Sequence, residues 1–564
     1  MKYAYAAFSS VLLTAAIVVV SSCSDPIDCT DRRDCPSDFP ARAGAAGSEA
    51  GAAGAMDVVG GAGANGAPSE AGAGGSAGST EVESCDPNAD PATTACVIAD
   101  DYGTFVAPYG NDGTGDGAQA KPFATVTKAL SAVAEQKRAR IYVCAAEYSE
   151  PDTITPLDGS SIFGGFSCDG DAWAYDAPVK ALLNVQSPVA AIIDSAKRGV
   201  TLEDVRLDAA DAPQNDTGAS SFGLVVNASK AVALVRVELH AGKGGGGRSG
   251  AAGTAIESAP SPTAEQNGRD ASCGAADVAP TIALGGIPAG SKCGAGGRGG
   301  IGYGAFEHSG GSGTPTTNLV SVPQPNGGTA RTAASPTGPG GPGGDGVNGA
   351  AGKVGASAGG VGSFSPAGYV GASGGDGTDG APGQGGGGGG ASYNVGPGGQ
   401  ICAVAPGGGA GGAGGCGRAG GTGGGGGGGS VGLLSWNSQV ALDAVVLVAK
   451  AGGAGGIGGA GLPGSAGGAG GSGGSADAYF GVVSPGGAGG KGGGGGSGGA
   501  GAGGTGGPSL CVVYSGAEPT GISGSVLTPG MGGAAGPGGA SMEPGGLSAP
   551  SGQRGLTLPV YAKQ

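Results

Sequence analysis

Charge is scarce in this chain of 564 residues: only 12% are Asp, Glu, Lys or Arg, and 27 basic residues face 43 acidic ones, for a net charge of -16. Nucleic acid is excluded as a partner, because no basic surface exists to displace the counterions of a phosphate backbone. Aromatic residues make up 4% of the chain, and there are two histidines, His240 and His308. With two histidines and no Cys-x-x-Cys pair, zinc has no ligand set of the usual spacing, and no cofactor is expected. In place of the missing types stand 138 glycines and 36 prolines, about three residues in ten, which is the low-complexity range. Core-forming sequence must be confined to part of the chain.

That part is organised around Ser221 to Gly244, SFGLVVNASKAVALVRVELHAGKG. Its second half, Val232-x-Leu234-x-x-Val237-x-Leu239-x-Ala241, recurs at the same spacing as Val200, Leu202, Val205, Leu207 and Ala209, and again as Val440, Leu442, Val445, Leu447 and Ala449. Period-2 apolar spacing with a one-residue slip reads as two short strands meeting at a corner, all apolar side chains on one side. Stacked units of this kind make an all-β solenoid, a parallel β-helix with one continuous core.

The first residues form an export signal. Lys2 is followed by an uncharged apolar run from Ala4 to Val20, which suits a signal sequence or a membrane span. Val20-Ser21-Ser22-Cys23 resembles the lipobox of bacterial lipoproteins at every position. The resemblance implies cleavage after residue 22, acylation of Cys23 and, with Ser24 following, passage to the outer membrane. Several acyl chains would hold Cys23 stably in a leaflet. Residues 23–81 are then a Gly/Ala/Ser tether with nothing to bury.

Ten further cysteines fall into close pairs: Cys29 with Cys35, Cys85 with Cys96, Cys144 with Cys168, Cys273 with Cys293, and Cys402 with Cys416. Close pairing in an exported protein suggests local disulfides, although spacing does not fix connectivity. Cys511, between Leu510 and Val512, reads as a buried core thiol.

Residues 82–243 open the β-helix. FVAPYGNDGTGDGAQAKPFATVTKAL followed by IYVCAAEYSE resembles the N-terminal cap and first coil of right-handed parallel β-helix proteins of the pectin-lyase-like class. The resemblance implies a capping helix, which Val126, Ala129, Leu130 and Val133 on one helical face also predict. Asn111, Asp112 and Asp116 lack the spacing of a calcium loop and read as turn residues.

Glycine-rich insertions at 244–429 and 452–507 interrupt the solenoid, with a coil at 430–451 and a C-terminal coil and tail at 508–564. Each insertion follows the strand ending in Ala241 or Ala449, so both leave from one corner. Their GGAGG, GGSGG and GGTGG runs resemble the PGRS-type repeats of bacterial surface proteins. Collagen is disfavoured, because glycine does not hold every third position. Two readings remain: disordered loops, or extended polyglycine helices bonded side by side. Outward Ala444, Val446 and Val448 on the repeated coil need a cover, which a glycine layer would supply.

The pectin-lyase-like resemblance also implies polysaccharide lyases and hydrolases. Asp194, Glu203, Asp204, Arg206 and Asp208 are the catalytic candidates on the coils, and alternation places Thr201, Glu203, Arg206 and Asp208 on one outer face. A surface ion pair accounts for that group, His240 reads as an exposed strand residue, and the family's catalytic set does not map onto this chain. The expected function is a non-enzymatic, lipid-anchored surface protein, an adhesive, scaffold or envelope coat, with surface polysaccharide or neighbouring envelope proteins as partners. The alternative is a carbohydrate-active or carbohydrate-binding β-helix.

Overall fold

Apolar residues that alternate along short segments stack into three large parallel sheets in the computed structural model. It describes residues 85–563 apart from 137–138, 169–171, 177–178, 216, 256–259, 272–282, 303–313, 316–324, 332–337, 393–404 and 477–483. The leader, Cys23, the tether, Cys29 and Cys35 lie outside the described residues, as do Cys273, Cys402 and His308.

The first sheet runs, in spatial order, Gly103–Val106, Arg140–Cys144, Ser161–Ser167, Val200–Glu203, Val232–Val235 and Val440–Asp443. The second runs Glu147–Glu150, Ala181–Val185, Val205–Ala209, Glu238–Ala241, Val446–Ala449 and Val526–Thr528. The third runs Val189–Asp194, Ser221–Asn227, Ser430–Trp436, Ser509–Ser515 and Thr557–Ala562. Among the described residues of these three sheets, only Ala174–Tyr175, at the side of the first, joins antiparallel. This arrangement is compatible with a parallel β-helix.

Register explains the sequence repeat. Val232 lies between Val200 and Val440, Leu234 between Leu202 and Leu442, and Leu239 between Leu207 and Leu447. Like stacks on like, and all fifteen apolar positions of the three motif copies are buried. The one-residue slip is a corner: Asp204, Arg236 and Ala444 take left-handed φ values of 50°, 52° and 51°. The turn sends Thr201 and Glu203 to the first sheet and Arg206 and Asp208 to the second, so these four residues do not share the one face that simple alternation predicts.

One end of the stack is covered by the helix α1, Val126–Gln136, whose Val126, Ala129, Leu130 and Val133 enter the main core. Its free N–H groups meet two carboxylates distant in sequence. Asp112 accepts from the Thr125 N–H at 3.1 Å and the Thr125 hydroxyl at 2.8 Å. Glu150, fully buried, accepts from Val126 N–H at 2.6 Å, Thr127 N–H at 3.1 Å and the Thr127 hydroxyl at 2.7 Å. A carboxylate at a helix start gains from both the orphan donors and the helix dipole. Asn111 and Asp116 accept only nearby backbone N–H groups, as turn residues do.

The apolar outer face that gains a cover is not the one carrying Val446 and Val448, which stay half-buried beside Val526 and Thr528. It belongs to the third sheet, where Phe222, Val225, Val431, Leu434, Leu510 and Val513 pack under Phe364 and Tyr369 of the hairpin Ser363–Ser365 and Gly368–Val370. Strands of the third sheet are apolar on both faces, so they need burial on both. Residues 508–564 also differ from a simple coil and tail: Val526–Thr528 is followed by a third glycine-rich excursion before Thr557–Ala562 completes the sheet.

Disulfides Cys85–Cys96 and Cys144–Cys168 are local. Cys293, expected to pair with Cys273, instead joins Cys416 across 123 residues. Lateral packing of glycine segments sets two distant stretches side by side, and sequence proximity carries no information about that. Cys511 is free and buried in the main core, and burial pushes its thiol up to about 11.

Candidate functional site

Two regions carry chemistry, the charged corner of the coils and the glycine-rich blocks. At the corner, Asp204 is fully buried and receives Arg236 through Nε at 2.9 Å and Nη2 at 2.8 Å. Nη2 also bonds Glu203 and, at 3.0 Å, the Tyr175 hydroxyl, which donates to Asp204 at 2.5 Å. The bonds to Asp204 hold Arg236 protonated, well above its usual range. Burial and the Asp204 contact push Tyr175 up to about 12. Burial and the charge of Asp90 raise Glu203, outweighing Arg236. Asp204 is therefore a paired structural carboxylate with no access to a substrate.

On the second sheet, Arg206 donates to Asp208 through Nε at 2.9 Å and Nη2 at 2.8 Å, and Lys180 pairs with Glu238 at 2.8 Å. His240 reaches Asp208 at 3.2 Å and lies 3.9 Å from Glu238. Burial lowers the His240 imidazole below its usual range, with Asp208 offsetting part of the effect. Burial pushes Glu238 up, but Lys180, Arg206 and His240 together outweigh it and leave its carboxyl below the usual range. Asp194 accepts from Asn227 at 2.7 Å. The Arg206–Asp208 ion pair is in place; the structure adds His240, which lies opposite Asp208 on the neighbouring strand, and the Lys180–Glu238 pair, whose Glu238 lies opposite Arg206. Among the described residues no group of three or more His, Cys, Asp or Glu is placed to hold a metal ion. Glu203 also borders a cleft of ≈ 650 Å³ with Asp90, Asp101, Tyr102 and Arg140.

The glycine-rich blocks are ordered by backbone hydrogen bonds that recur every third residue. Gly409, Gly412, Gly415, Gly421, Gly424 and Gly427 donate to Gly487, Gly490, Gly493, Gly499, Ala502 and Thr505. In turn Gly486, Gly489, Gly492 and Gly495 donate to Gly474, Gly471, Gly468 and Ser465, while Gly487 and Gly490 donate to Gly390 and Gly387. Three successive residues thus bond to different neighbouring segments, as an extended helix with three residues per turn requires. At about 3.1 Å per residue, residues 485–507 span roughly 70 Å.

Steric exclusion explains the glycines. In the unbroken run Gly385 to Gly390, a Cβ on Gly385 would sit 2.1 Å from the Ala295 carbonyl oxygen, one on Gly386 2.3 Å from that of Gly490, and one on Gly387 2.1 Å from that of Asn326. Three faces of one segment touch three neighbours. Where a segment lies at the surface, one residue in three is freed: Ala454, Ile457, Ala466, Ala469, Ser472 and Ser475 all point outward.

At the slab edge, side chains take the place of missing neighbours. Asp345 and Asn348 accept from the Lys491 and Gly494 N–H groups, each at 2.8 Å. Asp376 and Asp379 accept from Gly423 and Gly420, at 2.6 Å and 2.8 Å. Asn267 and Asp270 do the same for Ser472 and Ser475, at 2.9 Å and 2.6 Å. The sequence signal is an Asx pair three residues apart inside a glycine repeat, which puts two acceptors on one edge one turn apart. Sequence reading passed over these residues because in isolation each is an ordinary exposed Asp or Asn.

The chain matches no family model, no curated protein and no solved structure. Among the described residues no helix is long and apolar enough to cross a membrane.

Proposed function

We propose that this chain is a non-enzymatic surface lipoprotein. Cys23 is acylated and lies in the outer membrane, residues 23–81 form the tether, and a right-handed pectin-lyase-like β-helix carries PGRS-type blocks packed as polyglycine-II layers. Its role is adhesive or scaffolding, toward surface polysaccharide or neighbouring envelope proteins. One observation carries this reading: the glycine-rich blocks form a hydrogen-bonded slab whose deep segments, 405–417 and 494–507, bury no ionisable side chain except the disulfide-bonded Cys416. Such a slab offers a rigid face and no general acid, base or nucleophile within it. The paired state of Asp204 and Asp208 supports the same reading. The cleft beside Glu203 is the feature that favours a carbohydrate-active protein.

The test compares cells with and without the chain for adhesion and envelope integrity, and includes Cys23→Ser, which should move the protein from membrane to soluble fractions. Purified protein is assayed in parallel on acidic and neutral polysaccharides with calcium. Loss of adhesion or envelope integrity without the chain, with no turnover, supports the scaffold. Turnover that Glu203→Gln or Asp208→Asn abolishes would overturn it in favour of an enzyme.

A further inference from the structure

Along residues 485–507, one N–H in every three points toward a single side of the segment. At Lys491 and Gly494 these groups are taken by Asp345 and Asn348, and at Gly503 and Gly506 by the carbonyls of Pro550 and Gln553. The two intervening members of the series, Ser497 and Ala500, have no acceptor among the described residues, although they are only 7% and 1% exposed. Their N–H groups must point the same way as the rest of the series, because the three-residue repeat continues on both sides. There the slab has a groove of ≈ 470 Å³, lined by Ala351 to Val354, Ser497 to Ala500, Ser541, Glu543 and Gly545 to Leu547. It lies between the segment of Asp345 and Asn348 and the segment of Pro550 and Gln553, in line with the acceptors above and below it.

We propose that this groove is a docking site for an extended glycine-rich peptide segment of a partner protein. Two buried donors one turn apart, about 9.3 Å, ask for two carbonyls at the same spacing, and a peptide in the three-residue helix of the slab supplies them. An unsatisfied buried N–H is costly, so filling the groove yields a return that an exposed ledge does not. Side chains on the incoming segment must be absent at the positions facing inward, so glycine at least every third residue is the specificity rule. The proposal depends only on slab geometry, and its failure would leave the surface-scaffold reading standing.

The test is amide hydrogen exchange on the full chain with an acetylated Gly-Gly-Ala repeat peptide of about twelve residues, ~37 Å long when extended. A Pro-Pro-Ala repeat, with the same helix and no glycine, is the control. Millimolar Gly-Gly-Ala peptide should slow exchange at Ser497 and Ala500 by about tenfold or more, while the control leaves both unchanged. Ala351→Trp, at the exposed rim, should abolish the slowing and keep Gly499 and Gly501 as protected as before. The proposal is overturned if Ser497 and Ala500 are already as protected as Gly499 in the free chain, if neither peptide slows them, if the control slows them equally, or if the slowing survives in Ala351→Trp.

Discussion

Asp204 shows how much a single residue can be asked to do. It holds a left-handed corner that L-residues occupy at a cost of about 1–2 kcal/mol, and its carboxylate takes both bonds of the Arg236 fork. Truncating it leaves a guanidinium beside Glu203 without its main partner, so Asp204→Ala should destabilise the coils by about 3 kcal/mol, read from the denaturant midpoint at constant slope. His240 gives a pH prediction. Its folded value is depressed, so the neutral form is favoured in the fold, and the stability it contributes is present above its ordinary value near 6.5 and lost as pH falls through the lower folded value. Thermal unfolding followed from about pH 7.5 to about pH 5 should show this decline, and His240→Gln should flatten it. A profile equally steep in the variant would remove His240 as the cause.

At the scale of elements, the helix α1 has hydrophobic spacing that is plain in the sequence, yet its anchoring depends on partners that are not. Glu150 lies on a strand of the second sheet and is buried against the helix start. Glu150→Ala would strand two N–H groups and the Thr127 hydroxyl, at a cost of about 2 kcal/mol. Exchange of the first-turn amides should accelerate before that of the sheets, since the helix covers the end of the stack. The corner residues were legible in part: the phase slip marks where the chain turns, but which sheet each flanking charge joins follows only from the left-handed backbone at Asp204.

For the molecule as a whole, the slab makes glycine phase a strict requirement. A Cβ on Gly489 would lie 2.0 Å from the Ala410 carbonyl oxygen, whereas Ala466 points outward. Gly489→Ala should therefore cost about 2–3 kcal/mol by forcing segments apart, while Ala466→Val should be near neutral. Hydrogen exchange across 405–428 and 485–507 is the measurement, with broad loss of protection expected in the first variant and none in the second. Equal behaviour of the two would mean that the glycines are not held in a packed lattice.

The sequence alone determined the coil motif, its corner and the residues that enter the core, because each depends on near neighbours and on a period of two or three. Glycine in all three phases marks the run Gly385 to Gly390, but the deep segments 405–417 and 494–507 admit small residues such as Ala410, Ala413 and Ala500, so depth in the slab is not read from glycine content alone. Only tertiary structure decided that Cys293 meets Cys416, that Asp112 and Glu150 cap the helix, that the third sheet rather than Val446 and Val448 receives the cover, and that Ser497 and Ala500 face a groove. The physical reason is lateral packing: near-identical glycine repeats can pair in many registers, and which segments lie side by side is set by the path of the whole chain.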